Sequence, residues 1–461
     1  MIAPSALADL VRRRAVRAHF VGIGGAGMAP LAALSARSGW TVDGCDATDS
    51  RVLGALGEFG VIARTGHARE HAIGRDLVVA TSAAAPDVPC LVEARERGVA
   101  IAKRAEVVGA WSRQRTAICI AGTAGKTTTT AMAAWILLRA GHDPSALVGG
   151  EVPGLGVGGR AGGSRFLVVE ADEFDRSFLH LTPAIAVVTN VEADHLDYYG
   201  SVDAMEEAFR AFATSTPRGG LIVNGDDPGA ARLADGGSVT FGTRPDADWQ
   251  IGRIDTAGPT TTAVVRHKGL SHVLTLPLPG RHNVHNAVGA IAAAALVGVE
   301  TTASVEALRE FPGVGRRFER RGSVRGVVVY DDYAHHPMKL RAALATARQV
   351  ARGRIICIFQ PHTYHRTAAL FKDFSASFDD ADVVLMLAPY SPPGREDATP
   401  EGDAARLVAA IGRSDVIYCP GAAEAVSRAS STARPGDIIV TMGAGDVTRL
   451  ASWVVAALEV S

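Results

Sequence analysis

A glycine turn carrying Lys-Thr is the densest piece of chemistry in this chain. The apolar run Ile118-Cys119-Ile120-Ala121 enters Gly122-Thr123-Ala124-Gly125, followed by Lys126-Thr127-Thr128 and the helix-favouring Ala131-Met132-Ala133-Ala134-Trp135-Ile136-Leu137-Leu138. Strand, glycine loop and helix in that order wrap a nucleoside triphosphate, because glycines let backbone N–H groups approach phosphate oxygens at a helix N-terminus. Lys126 can reach the β- and γ-phosphates, and the Thr127 hydroxyl can ligate Mg²⁺. Ile120 stands where the common phosphate-loop pattern has its first glycine, so Gly122 takes that work; the bland alternative is an ordinary strand-to-helix turn.

Further acids and a histidine follow apolar strand-like runs. Phe166-Leu167-Val168-Val169 ends in Glu170-Ala171-Asp172-Glu173, and Ala184-Ile185-Ala186-Val187-Val188 leads to Glu192-Ala193-Asp194-His195-Leu196-Asp197. In an open parallel sheet ligands sit beyond the carboxyl ends of strands, so Glu170 and His195 are candidates for metal–phosphate chemistry; each could instead be a solvated loop residue. Upstream, Ala18-His19-Phe20-Val21 runs into Gly22-Ile23-Gly24-Gly25-Ala26-Gly27, and a second strand from Trp40 ends near Asp46. That is a dinucleotide-type fingerprint, which calls for a nucleotide diphosphate and by itself suits NAD or FAD.

The elements that must position these groups form three successive α/β layers. The first adds strands at 76–80 and 99–102. In the second, Pro279-Gly280-Arg281-His282-Asn283-Val284-His285-Asn286 leads into an alanine-rich buried helix, its asparagines open to capping or base-contact roles. The hinge Phe311-Pro312-Gly313-Val314-Gly315 opens the third layer, whose strands end in Asp331-Asp332-Tyr333-Ala334-His335-His336-Pro337, Gln360-Pro361-His362 and Met442-Gly443-Ala444-Gly445-Asp446. The expected fold is α/β with three domains: Rossmann-like (1–112), central P-loop-type ATP-binding (113–312) and C-terminal Rossmann-like (313–461). Polar strand ends in all three layers point to a site assembled by domain closure.

Composition narrows the class. Lys+Arg number 47 against 48 Asp+Glu, so no broad basic field for nucleic acid exists. No apolar run approaches the ~18–20 residues of a membrane span. Arg12-Arg13 is followed by a strand rather than a signal-peptide core, and a cytoplasmic protein is expected. Five cysteines without Cys-x-x-Cys suggest a reducing compartment and neither a disulfide nor a zinc framework; Cys119 and Cys357 read as packing residues.

Taken together, Gly-x-Gly-Gly-x-Gly-Met, Gly-Thr-x-Gly-Lys-Thr-Thr-Thr, Glu-Ala-Asp-Glu, Asp-His-x-Asp, Gly-Arg-His-Asn, Arg-Arg-Phe-Glu, Asp-Asp-Tyr-x-His-His-Pro and Gln-Pro-His resemble the Mur ligases over about residues 18–450, and most of all those that add the first amino acid. The resemblance implies an ATP-dependent ligase of peptidoglycan precursor synthesis that joins L-alanine to UDP-N-acetylmuramate, a monomer or homodimer using ATP and Mg²⁺. It implies a UDP-sugar site of Gly22, Gly24, Gly25, Gly27, Met28, Asp46, His67 and Ser82. ATP would lie on Gly122, Thr123, Ala124, Gly125, Lys126, Thr127 and Thr128 with Asn286, Arg317 and Asp332. Mg²⁺ ions would fall to Thr127, Glu170 and His195, and the amino acid or lactyl carboxylate to Tyr333, His335 and Arg366. Lys126, His195 and His335 are the expected catalytic residues, His335 as base for the incoming amine.

Later-step members use a carbamylated lysine, and no lysine lies here between Lys126 and Lys268. Three departures touch the acceptor side: Ala124 replaces the family's usual histidine, Ala334 replaces glycine, and Tyr390-Ser391-Pro392-Pro393-Gly394-Arg395-Glu396 is an unusual loop. Rival readings are a Mur-type ligase for another amino acid or a recycled murein peptide, a nicotinamide-dependent oxidoreductase, and a non-catalytic nucleotide-binding regulator.

Overall fold

The computed structural model describes residues 2–460 except 14, 82, 83, 257, 392–398, 400 and 401. Ser82 and most of the 390–396 loop therefore lie outside the described residues. Three sheets follow one another along the chain. The first holds β1 (Arg17–Val21), β2 (Thr41–Asp46), β3 (Ile62–Thr65), β4 (Leu77–Ala80) and β5 (Ala100–Lys103), all parallel, in the order β3-β2-β1-β4-β5. The strand order reverses beside β1, so the glycine turn after Val21 lies at the topological switch point, where an open sheet leaves a crevice.

The second sheet holds β6 (Thr116–Ala121), β7 (Ser145–Val152), β8 (Gly156–Arg160), β9 (Phe166–Glu170), β10 (Ile185–Val188), β11 (Leu221–Asn224), β12 (Val239–Gly242), β13 (Trp249–Asp255), β14 (Thr261–His267) and β15 (Leu270–Leu276). Its order is β15-β14-β13-β12-β11-β10-β6-β9-β7-β8. β6 is flanked by parallel β9 and β10, which places the ends carrying Glu170 and Thr189 on either side of the Lys126 turn. These central strands are covered on both faces and so read as unbroken apolar runs. β7–β8 and β13–β14 are antiparallel, a departure from the purely parallel pattern expected. The buried alanine-rich helix is present as Arg281–Leu296.

The third sheet holds β16 (Glu319–Val324), β17 (Val327–Asp332), β18 (Ile355–Phe359), β19 (Val383–Met386), β20 (Val416–Tyr418) and β21 (Ile438–Met442), ordered β16-β17-β21-β18-β19-β20. It is parallel except for β16, and each of its faces carries its own apolar cluster.

By packing, the chain divides into two compact units. One comprises Met1–Asp255, Thr262–Pro277 and Arg281–Pro312; the other comprises Thr256–Thr261, Leu278–Gly280 and Gly313–Ser461. The first unit holds the five-stranded sheet and nearly all of the ten-stranded one, and a single apolar cluster runs from Phe20 through Trp111 to Cys119 and Phe209. Cys119 and Cys357 are fully buried, and the five cysteines are free thiols.

Candidate functional site

The turn after β6 is built where only glycine fits. Gly122 has φ +138°, and a Cβ there would come within 2.0 Å of Thr189 Oγ1; one on Gly125, at φ +82°, would come within 2.4 Å of Asn286 Oδ1. Main-chain and side-chain bonds fix the turn. Ala124 N–H donates to Asn190 Oδ1 (2.8 Å), Thr189 Oγ1 donates to Ala124 O (2.6 Å), and Thr123 Oγ1 donates to Glu192 O (3.0 Å). The helix Lys126–Arg139 starts directly behind, with Thr127 and Thr128 buried in its first turn.

Lys126 Nζ donates to Gly122 O and pairs with Glu173 Oε2, both at 2.6 Å. Burial works against its charge, but Glu173, Asp172 and Glu170 more than offset that, holding the ammonium above its ordinary range. Thr127 Oγ1 lies 3.1 Å from Glu170 Oε1, whose other oxygen accepts from Gly149 N–H. His195 Nε2 stands 4.0 Å from Glu173 Oε1 and 3.9 Å from Asp194 Oδ2. Its backbone is left-handed at φ +55°, as are Asp175 and Arg176. Such conformations cost energy, and they gather at this strand-end cluster. Thus Gly122, Thr123, Ala124, Gly125, Lys126, Thr127, Glu170, His195 and Asn286 come together in the first unit. Asn286 also donates to Asn283 Oδ1 (3.3 Å).

At the other glycine turn, Gly22 has φ +76°, and its N–H donates to Cys45 O. Asp46 Oδ2 accepts from Gly24 N–H at 2.9 Å and Oδ1 from Thr48 N–H at 3.3 Å, so this acid braces the turn. Gly25 and Met28 lead into the helix Ala29–Arg37. A Cβ on Gly27 would meet the Arg104 guanidinium at 3.0 Å, a movable group. His67 Nδ1 lies 3.0 Å from Cys45 Sγ.

In the second unit the remaining candidates surround the end of β17. Asp332 accepts from Phe318 N–H and Ala334 N–H, each at 2.7 Å, yet burial dominates and lifts its pKa to about 6. The Arg316 and Arg317 guanidinium groups lie over the Tyr333 ring at 4.7 and 5.2 Å. His335 packs edge-on to Tyr333 and His362. Burial, with Lys339 and Arg366 nearby, holds its pKa well below the ordinary value, so it is neutral near pH 7. Its Nδ1 faces Tyr333 O at 2.8 Å. A carbonyl only accepts, so Nδ1 carries the hydrogen and Nε2 presents a lone pair. Arg366 lies in the first turn of the helix Tyr364–Ala369, where its N–H donates to the cap Thr363 Oγ1, and Thr363 is itself left-handed at φ +64°.

Three family models match in chain order: the Mur ligase family catalytic domain over residues 17–116, the Mur ligase middle domain over 120–294, and the Mur ligase glutamate ligase domain over 316–445. The chain is 43% identical to the UDP-N-acetylmuramate–L-alanine ligase of Thermobifida fusca, covering 96% of each chain. It is 44% identical to that of Clavibacter michiganensis, covering 100% of this chain and 97% of the relative. This chain belongs to the Mur ligase family. Its fold matches the crystal structure of the Thermotoga maritima UDP-N-acetylmuramate-alanine ligase with a TM-score of 0.80 at 28% identity, over 96% of this chain and 99% of that one. A murein peptide ligase from Psychrobacter arcticus matches at 0.68 and 26%, over 96% and 98%.

Sequence reasoning placed several further residues of this Mur ligase at strand ends without giving them individual roles. Glu173, 1% exposed in its side chain, links Lys126 to the His195 neighbourhood, and Thr189 and Asn190 clasp the glycine turn. Their signal was position: each stands just past the end of a strand adjacent to β6. Asp331 is another. It is fully buried, and Thr441 and Thr448 hydroxyls donate to it at 2.6 Å.

Proposed function

We propose that this chain joins L-alanine to the lactyl carboxylate of UDP-N-acetylmuramate at the expense of ATP, giving ADP and phosphate. The observation that carries this reading is the single cluster of Lys126, Thr127, Glu170 and His195 around a glycine turn, in a chain similar from end to end to proteins named for that reaction. A carboxylate is a poor acyl donor at neutral pH. The γ-phosphoryl group of ATP is therefore transferred to the lactyl carboxylate, the alanine amine attacks the resulting acyl phosphate, and phosphate leaves from a tetrahedral intermediate. Because two anions must meet, charge neutralisation and positioning supply most of the catalysis.

Each residue's part follows from its chemistry. Lys126 exchanges Glu173 for phosphate oxygens, and the turn's N–H groups cradle the triphosphate. The hard oxygen donors Thr127 Oγ1 and Glu170 Oε1, 3.1 Å apart, suit Mg²⁺, and the His195 imidazole a second ion; when bound, these ions would neutralise phosphate charge. Asn286, Arg317 and Asp332 are assigned to the nucleotide. Gly22, Gly24, Gly25, Gly27, Met28 and Asp46 are assigned to the UDP-sugar, with His67 offering its Nε2–H to the diphosphate. Arg366 offers a fork for a carboxylate, Tyr333 lines the amino-acid side, and His335 Nε2 is the candidate acceptor for the amine proton. We divide the chain functionally at 1–112, 113–312 and 313–461, and assign it to the cytoplasm; no helix among the described residues is long and apolar enough to cross a membrane.

The test is phosphate release from ATP, with UDP-N-acetylmuramate and a panel of amino acids and murein peptides. Turnover should need both co-substrates and be fastest with L-alanine. Comparable ADP formation with either omitted overturns the ligase reading, and preference for another acceptor overturns the choice of L-alanine.

A further inference from the structure

A cluster of soft ligands lies on one face of the first sheet, apart from the glycine turns. Alternate residues of a strand share a face, so Asp43 and Cys45 of β2 project to the same side, with His19 of β1 in register beside Asp43. Cys90 enters from the first turn of the helix Pro89–Glu96, and His67 from the segment after β3. His19, Cys45 and Cys90 are fully buried.

The distances suit a metal. Cys45 Sγ lies 3.8 Å from Cys90 Sγ, 3.0 Å from His67 Nδ1 and 3.2 Å from His19 Nε2. The donor atoms of Cys45, Cys90 and His67 all lie within 4.8 Å of one another. In a tetrahedral zinc site with Zn–S near 2.3 Å, the two sulfurs stand about 3.8 Å apart. His19 groups separately, with Cys45 and His71, and backs the Cys45 thiol. Its Nδ1 is 3.0 Å from Asp43 Oδ1, while Arg64 and Arg75 donate to Asp43 Oδ2 at 3.2 and 2.6 Å. That carboxylate holds the proton on Nδ1 and turns the Nε2 lone pair toward Cys45.

We propose that Cys45, Cys90 and His67 hold one Zn²⁺ ion in a structural site. Both thiols lose their protons on binding, two protons are released, and the two thiolates balance the charge of the ion. The ion fastens the His67 turn and the helix Pro89–Glu96 to β2, whose next residue, Asp46, braces the glycine turn. His67 uses Nδ1 for the metal and keeps Nε2 for another partner. The absence of Cys-x-x-Cys concealed the site, because its ligands come from three separate elements.

The test uses the full chain, expressed with added zinc and purified under a thiol reductant without chelator. Elemental analysis should find about one zinc per chain, and Cys45→Ser and Cys90→Ser should each lower zinc affinity about tenfold or more. Cys357→Ser, which removes a buried thiol of the third sheet, should leave the zinc content unchanged. Cobalt substitution of the unaltered chain should give a thiolate-to-metal charge-transfer band, a readout independent of how any variant folds. Substoichiometric metal after exposure to both ions, or equal zinc in the unaltered and Cys→Ser chains, would each overturn the assignment.

Discussion

Lys126 keeps its charge in a nearly closed site because three carboxylates surround it, Glu173 in direct contact. The same ammonium stands at the glycine turn, where it bonds Gly122 O. Lys126→Ala should therefore lower kcat about 10³-fold or more, a size typical of losing a preorganised charge in phosphoryl transfer. Steady-state ATP turnover measures it, and a loss below tenfold would remove Lys126 from the catalytic set. His195 sits 3.9–4.0 Å from two carboxylates in a strained backbone conformation, which suits a metal ligand held in place by the fold. For His195→Ala the Mg²⁺ concentration giving half-maximal rate should rise, and a Mg²⁺ titration identical to the parent's would remove the residue from the metal.

At the level of elements, the turn after β6 is a strand-to-helix connection whose backbone lies close against the neighbouring strand ends. Gly122→Ala puts a methyl 2.0 Å from Thr189 Oγ1 at a φ that side chains rarely adopt. The turn must shift, so ATP affinity should fall sharply and stability should drop by about 1–3 kcal/mol. Calorimetric ATP titration and denaturant unfolding report the two effects, and unchanged values in both would contradict the geometry. Gly54 gives the opposite expectation. It lies within the helix Arg51–Leu56, has no left-handed backbone, and a Cβ there meets nothing within 4 Å. Gly54→Ala should stabilise the chain by about 0.5–1 kcal/mol through helix propensity. A lower melting temperature for this variant would show that the helix is not formed as described.

At the scale of the whole molecule, two units with separate cores need not unfold in one step. Asp332 offers a pH handle on the second unit. Its folded pKa, about 6, is above the ordinary carboxyl value of 3.8, so the folded state binds the proton more tightly. Its contribution to stability is thus full below pH 3.8 and is lost as pH rises through about 6. Asp332→Asn removes that titration. The stability of the parent relative to this variant should fall between those two pH values and level off above them. Urea midpoints at a series of pH values, read on the transition that the variant shifts, decide it; a flat difference would mean that Asp332 titrates normally.

Much of this was legible in the chain because local chemistry and local shape coincide. Strands covered on both faces, such as Ile118–Ala121 and Phe166–Val169, announce themselves as apolar runs, and glycine with Lys126-Thr127 just beyond one of them marks the strand-to-helix turn found there. The antiparallel pairs β7–β8 and β13–β14 were not legible, since their partly covered residues form no comparable run. Strand order was also hidden. Only the placement of β6 between β9 and β10 brings Glu173, Thr189 and Asn190 onto the turn, and only the pairing of β1 with β2 sets His19 beside Asp43 and Cys45. The reason is physical. Residue type and spacing act through the few residues of one turn or strand, whereas contacts between distant residues depend on which strands pair, a choice made by the burial of the whole sheet.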